Sequence, residues 1–573
     1  MSIELQTPTE DIPIARSAVL NNKIIYYLIP VFCFLLSLAF YLITLQPSLA
    51  WGDGTRLQRE VITAESFILA EMVDVSFAPD PYPFARLGVA AWDHPLYVML
   101  GHILVRSSAE SQSLWVVNFI SAMFASGTIV LLYLLAVRHT RSLAASLLAA
   151  ATLAVSHTFW WHAVTPEVYT LFTFLLLLAV YCLDSYEYNG RFVFLIASAF
   201  FFGLGISNHL LAGLALLALP VYLLLIRRSP LGYIQRPVHL LWLLLAFVAG
   251  LLPYLVQFLR LLRTFSFSEI FGPAAGVTFL QDSLALSLAG FLDSVTSYLL
   301  FLFYNFLLVG VLTGLYGFSS RSRAHYPGLW AKAVAFYGVY LIFGLFYRVS
   351  DQFAFFLAAH LFWAVAVAMG IACLAVQAAS ARQRKRLFAA ISLPILLTPL
   401  LYSVASDLMR AGGVTEAEFG VPQIGIGVRD GLTYYVDPDK MGDVSALIFG
   451  YETLANLPPE SLVIAQWYTD TDEYFVLRYF QVVEAMRPDI TLFGWPTEDP
   501  FTFDPGLVSE TIAANVDSRP IYLASLSDQF YAASELLNKY CILEEHNLYR
   551  VYTHSEAEDL DCLMPSAVMH MNP

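Results

Sequence analysis

The chain has 573 residues, of which 58% are hydrophobic, 15% aromatic and only 13% charged. An ordinary soluble domain carries about 25% charged residues, so the composition excludes a disordered chain, a coiled coil and a typical soluble enzyme. The net charge of −15 is unevenly shared. Residues 1–406 hold 22 Lys+Arg and 18 Asp+Glu, a net of +4, whereas residues 407–573 hold 8 and 27, a net of −19. Two physically different bodies therefore meet near residue 406. The acidic one would repel a phosphate backbone, which excludes nucleic acid as a partner.

In chain order, the first apolar run (24–45) is too long for a cleavable signal peptide, and Gln46-Pro47-Ser48 is a poor cleavage site. Further runs of membrane-spanning character lie at 113–137, 142–160, 167–183, 192–207, 209–226, 238–258, 293–317, 329–346, 352–377 and 387–405. They make about 11 spans of a polytopic α-helical membrane protein. Arg138 and Arg141, then Arg227, Arg228 and Arg236, then Arg321 and Arg323, then Arg382, Arg384, Lys385 and Arg386 all fall in loops on one side. The positive-inside rule makes that side, and the N-terminus, cytoplasmic. The opposite side receives the loop 47–112 and the acidic domain 407–573. A short cytoplasmic tail without a retention signal leans towards a bacterial inner membrane.

The loop 47–112 is too apolar to be disordered. Residues 55–74 carry apolar side chains near helical spacing, which predicts an amphipathic helix on the outer membrane face. A second short helix begins at Pro95. Beyond residue 406 the pattern predicts helices at 443–457, 471–485, 505–516 and 528–538 between strands at 462–465, 490–494 and 520–525. A hairpin from 541–543 and 548–552 follows. Together they make a small soluble α/β domain with a mostly parallel sheet. Cys541 and Cys562 have the opportunity to pair in an oxidising compartment. The five cysteines show no metal-ligand spacing, so no cofactor is certain, although a divalent cation is compatible with the acids present.

Polar residues gather at the outer ends of the spans. Asp53, between Gly52 and Gly54, is placed to act as a general base or to hold a cation; the competing reading is a turn residue capping the next helix. Asp93 and His94 offer a proton relay or a phosphate contact, or else cap the helix at Pro95. His157-Thr158-Phe159-Trp160-Trp161-His162 precedes Glu167. One of the tryptophans reads as an interfacial anchor, which leaves the histidines and Glu167 as costly ionisable groups needing a role. Asn208 and His209 form a polar break, or simply a tight turn. Arg348 suits a lipid phosphate, or else snorkels and pairs with Asp351. These clusters describe an outward-opening site for a phosphate- or sugar-like ligand. A transporter or flippase of lipid-linked saccharides is the alternative, although ionisable residues near mid-span are scarce and no internal repeat is visible.

The run Tyr41-Leu42-Ile43-Thr44-Leu45-Gln46-Pro47-Ser48, Trp51-Gly52-Asp53, His94-Pro95-Leu96-Tyr97, Thr158-Phe159-Trp160 with Glu167-Val168-Tyr169, and Ser207-Asn208-His209 resembles a family of membrane glycosyltransferases. Its animal member is similar to a protein O-mannosyltransferase acting on plexin-type receptors. The segments Arg478-Tyr479-Phe480-Gln481 and Arg487-Pro488-Asp489 look like the family's soluble tail. The resemblance implies a GT-C fold and inverting transfer of a sugar, such as mannose, from a polyprenyl-phosphate donor to a protein or glycan hydroxyl outside the cytoplasm. It implies Asp53 as the catalytic base, with Arg56, Asp93, His94, His162, Glu167, Asn208, His209 and Arg348 as substrate contacts. Arg56 stands where the family more often has a second acid, for which Glu60 or Glu65 is a substitute.

Overall fold

The computed structural model describes residues 23–64, 94–227, 236–263, 287–349, 351–416, 423–465, 471–494, 505–557 and 560–563, with single positions at 266–267, 271, 284 and 421. The membrane part contains α1 (Lys23–Ile43), α2 (Asp53–Thr63), α3 (Pro95–Arg106), α4 (Ser113–Thr140), α5 (Leu143–Ala154), α6 (His157–Val164), α7 (Tyr169–Asn189), α8 (Phe192–Asn208) and α9 (Ala215–Leu225). It continues with α10 (Pro237–Gly250), α11 (Leu252–Leu261), α12 (Leu288–Gly317), α13 (Ser320–His325), α14 (Pro327–Phe346), α15 (Gln352–Phe355), α16 (Leu357–Gln377) and α17 (Ala381–Ser403).

Among the described residues, six helices are long and apolar enough to cross a membrane: α4, α7, α12, α14, α16 and α17. The count reaches eight if two bent pairs are each one span, α5 with α6 at 64° and α10 with Leu252–Arg260 at 60°. This makes a multi-pass membrane protein with fewer full-length spans than the expected eleven. The difference lies in shorter apolar helices such as Leu28–Ile43, Phe192–Asn208 and Leu210–Leu225, which the sequence reading counted in full. α16 sits at the centre and is almost entirely buried. Its small residues let neighbours approach closely. At Gly370 an added Cβ would collide with the backbone of Thr313 on α12.

The amphipathic helix expected over 55–74 ends earlier. α2 stops at Thr63, where Ala64 turns left-handed and closes the helix on Glu60. Residues 65–93, with Glu65 and Asp93, lie outside the described residues. α2 is also not a surface helix. Residues from Gly54 to Val61 are buried, because the C-terminal domain covers the face that the sequence pattern left for solvent.

Beyond α17 come α18 (Ala405–Ala411), α19 (Gly431–Val436), α20 (Ser445–Asn456), α21 (Thr471–Val482), α22 (Pro505–Asn515), α23 (Asp528–Tyr531) and α24 (Ala533–Lys539). The strands are β1 (Leu462–Ile464), β2 (Thr491–Phe493), β3 (Ile521–Leu523), β4 (Cys541–Glu545) and β5 (Leu548–Tyr552), in the order β2-β1-β3-β5-β4. β1 runs parallel to β2 and β3, while β5 is antiparallel to β3 and to β4. The sheet is therefore half antiparallel rather than mostly parallel. The β4–β5 hairpin, turned through His546 and Asn547 with positive φ, docks on β3 and extends the sheet with its own sense. Cys541 and Cys562 form a disulfide.

Candidate active site

The site is built where the membrane helices meet the C-terminal domain. The loop after α1 is fixed by buried amides. Gln58 accepts from the Ala50 N–H at 3.0 Å and donates to the Ser48 carbonyl at 3.1 Å. Asn118 on α4 donates to the carbonyls of Gln46 and Ser48 at 2.8 and 3.0 Å. Buried amides that satisfy one another in this way rigidify the backbone they hold. At the end of this loop Gly52 takes φ +58°, and an added Cβ would lie 2.6 Å from the Asp472 carboxylate. Both the backbone and the close approach require glycine there.

Asp53 follows as the first residue of α2. Gly52, not Asp53, is the N-cap, and no side chain caps the helix; the capping alternative for Asp53 therefore fails. Its side chain is 63% exposed and pairs with Arg56 at 3.2 Å. Arg56 is buried and also reaches the buried Glu60 at 3.5 Å. Glu60, the proposed substitute for the lost acid, thus acts as a partner that holds Arg56.

Glu167 lies in the turn between α6 and α7. Its backbone is pinned to Ser121, whose hydroxyl accepts from the Glu167 N–H at 3.1 Å. The surrounding protein, then the charges of Asp53 and Asp351, push its carboxyl well above the usual range, against the pull of Arg56. Asp351, just before α15, is raised to about 6 by the protein around it and then by Asp53; Tyr169 bonds to it and opposes the shift. Asp351 nevertheless remains exposed. Carboxylates surrounded by protein yet reached by water describe a wet cleft. In it Asp53, Glu167 and Asp351 feel one another, with Arg56 as a cation among them.

His94 caps α3 in a left-handed conformation. Its Nδ1 lies 2.8 Å from the Asn208 carbonyl, and its ring stacks on His209 with centroids 4.9 Å apart. Burial, then the Arg56 charge, lower its pKa to about 3. The neutral ring must place its proton on Nδ1 to donate to that carbonyl, so Nε2 is left as an acceptor. Asn208 in turn donates to the Val168 carbonyl at 3.0 Å, joining His94 to the Glu167 turn. The polar break at 208–209 is therefore a connector between α3, α7 and α8. His209 Nδ1 accepts from the Leu211 N–H at 3.0 Å.

His162 is buried beside the same cleft, against Tyr169 and stacked on Phe353, and neither ring nitrogen has a hydrogen-bond partner among the described residues. Trp160 and Trp161 are not interfacial anchors. Both are buried, and their indoles donate to Thr44 and to the Tyr434 carbonyl. The bend between α5 and α6 turns this stretch inward as a platform for α19. Arg348 is not brought into the cluster. It pairs with Asp293 rather than Asp351.

Sequence reasoning named Asp351 only as a partner for Arg348. It missed Arg429 and Asp472, which pair at 2.9 Å. The Arg429 guanidinium lies over the rings of Trp51 and Tyr434 and so closes the C-terminal domain onto the loop. Arg429 is one of only eight basic residues in a segment of net charge −19, and that scarcity was the available signal. Among the described residues no group of three or more His, Cys, Asp or Glu is placed to hold a metal ion.

Residues 91–231 match the family model of the protein O-mannosyl-transferase TMEM260 N-terminal domain. The whole chain superposes on ArnT from Cupriavidus metallidurans in the apo state, with a TM-score of 0.54 and 14% identity over 93% of this chain and 98% of that one. The chain has the GT-C fold. ArnT bound to undecaprenyl phosphate gives a TM-score of 0.55 at 15% identity, covering 91% of this chain and 97% of ArnT. No curated protein matches in sequence. The GT-C resemblance read from the motifs therefore agrees with the family match over residues 91–231 and with the fold of the whole chain. The likeness covers 93% of this chain and so extends into its C-terminal part.

Proposed function

We propose that the protein is a membrane glycosyltransferase that moves a sugar, such as mannose, from a polyprenyl-phosphate donor to a protein or glycan hydroxyl on the extracytoplasmic face. The observation that carries this is Asp53: an exposed carboxylate on a rigid loop, with Arg56 beside it, in a cleft of a GT-C fold. The family matched by residues 91–231 is named for protein O-mannosyl transfer, and ArnT has been seen with undecaprenyl phosphate. The Cys541–Cys562 disulfide fits a domain outside the reducing cytoplasm.

In this reading the Asp53 carboxylate takes the proton of the acceptor hydroxyl. The acceptor oxygen bonds to the anomeric carbon as the bond to the phosphate oxygen breaks, with inversion, and polyprenyl phosphate leaves with the electron pair. Arg56 is the cation that faces the developing negative charge. His94, held neutral, accepts a hydrogen bond through Nε2 and supplies no charge. Glu167, held protonated, donates one to the sugar or phosphate. Asn208 and His209 position His94, and His162 presents unpaired nitrogens to the same cleft. Arg348 stays as a contact proposed from sequence, apart from this geometry, and Asp93, outside the described residues, stays as a proposal from sequence. The test is purified protein in liposomes with labelled polyprenyl-phosphate sugar and acceptor. Transfer is expected, and full activity of Asp53→Asn would overturn the base assignment. Uptake of the lipid-linked sugar without covalent transfer would favour a flippase.

A further inference from the structure

The C-terminal domain carries an apolar face that its own core does not use. On α20, Ala446, Phe449, Thr453 and Leu454 are buried, and Phe449 packs on Trp51. The opposite face presents Val444, Leu447, Ile448 and Tyr451, with Met441 just before the helix, all exposed. Their spacing of i, i+3, i+4 and i+7 makes one continuous stripe. The stripe has neither Lys nor Arg.

Its position decides what covers it. The Lys440 N–H donates to the Thr44 carbonyl at 3.1 Å, one residue past the end of α1. Trp51 Nε1 donates to Ser445 Oγ at 2.8 Å. The stripe therefore starts where α1 ends. α1 itself exposes Leu28, Val31, Phe32, Leu35, Leu36 and Ile43, the apolar face that a helix of a membrane protein turns to lipid. The stripe continues that lipid-facing surface past Ile43 onto the soluble domain. We infer that α20 lies in the membrane interface, with Met441, Val444, Leu447, Ile448 and Tyr451 inserted among the lipids of the leaflet at that end of α1. There it tethers the C-terminal domain over the Asp53 cleft. An interfacial helix without basic residues binds by apolar insertion, not by attraction to anionic lipid.

The test uses the full chain in phosphatidylcholine liposomes, with an environment-sensitive fluorophore on Ile448→Cys. Cys33, Cys182 and Cys373 are buried, and the other two cysteines are paired, so labelling is selective. Ile43→Cys is the lipid-facing control, and the exposed Asp517→Cys is the aqueous control. The expected result is blue-shifted emission at 448, quenched by shallow spin-labelled lipid as strongly as at 43 and independently of salt. Emission like that at 517, without lipid quenching, would overturn the inference. So would crosslinking of two copies through Ile448→Cys in dilute liposomes without quenching, which would make the stripe a dimer contact. The readout does not depend on sugar transfer, so it stands or falls apart from the proposed activity.

Discussion

The two ends of α7 hold two polar clusters of opposite design. At its C-terminal end Asp184 is buried and satisfied. It takes Arg138 at 2.8 Å, His139 at 2.7 Å and Lys332 at 3.0 Å, and Lys332 also reaches Glu187. Acids and bases there are matched, and each carboxylate oxygen of Asp184 is used. At the N-terminal end Glu167, Asp53 and Asp351 face one another with Arg56 among them, and two of the three carboxylates remain open to water. A matched buried network holds helices together. An unmatched wet one keeps unused capacity for a ligand. The contrast predicts that mutations at one end destroy activity and spare the fold, while mutations at the other do the reverse.

The largest effect expected is on activity at the N-terminal end of α7. Asp53→Asn should lower transfer by about 10²–10⁴-fold, the usual worth of a general base. Its melting temperature should stay unchanged, because Asp53 is exposed and its partner among the described residues is Arg56 at the cleft rim. A parallel loss of stability would mean that Asp53 belongs to the structural class. At the C-terminal end of α7, Lys332→Ala should cost about 3–5 kcal/mol, the penalty for leaving buried carboxylates short of a partner. Thermal unfolding in detergent checks this. Protein that remains folded at low temperature should transfer at the normal rate.

Gly52→Ala tests the join between the two bodies. The conformation at Gly52 strains any residue with a Cβ, and that Cβ would strike Asp472. A cost of about 1–3 kcal/mol is expected, together with weakened transfer, because Asp53 would lose its fixed position. Asp472→Ala alone leaves the buried Arg429 without this partner, and in that background Gly52→Ala should cost less than it does in the native chain, because the collision is gone.

Much of this arrangement was legible in the residues. The helix at Pro95, the break at 208–209 and the five strands follow from proline, polarity and period. Asp53 was singled out as a carboxylate between glycines at the end of an apolar run, where helix capping was the competing reading, and the family resemblance made it the base. What stayed hidden is tertiary. Trp160 and Trp161 look like interfacial anchors until the bend at Ser156 turns them beneath α19. Arg348 looks like the phosphate clamp until Asp293, 55 residues earlier in sequence, claims it. The buried α2 reads as a surface helix because the domain that covers it starts more than 350 residues later. Contacts at such separation leave no periodic trace.

The smallest effect expected sharpens the reading of the wet cluster. Asp351 has an unfolded pKa of about 3.9 and a folded value near 6. Between those values the folded protein holds a proton that the unfolded chain has lost. Stability therefore falls as pH rises from about 4 to 6 and stays at the lower level above that. Asp351→Asn removes the loss and keeps an acceptor for Tyr169. Water in the cleft screens the interaction, so the gain in melting temperature at pH 8 should be only about 1–2 °C. It should vanish at pH 3, where both forms of the site are neutral. A gain that persists at pH 3 would show that the benefit comes from packing rather than from relief of repulsion by Asp53.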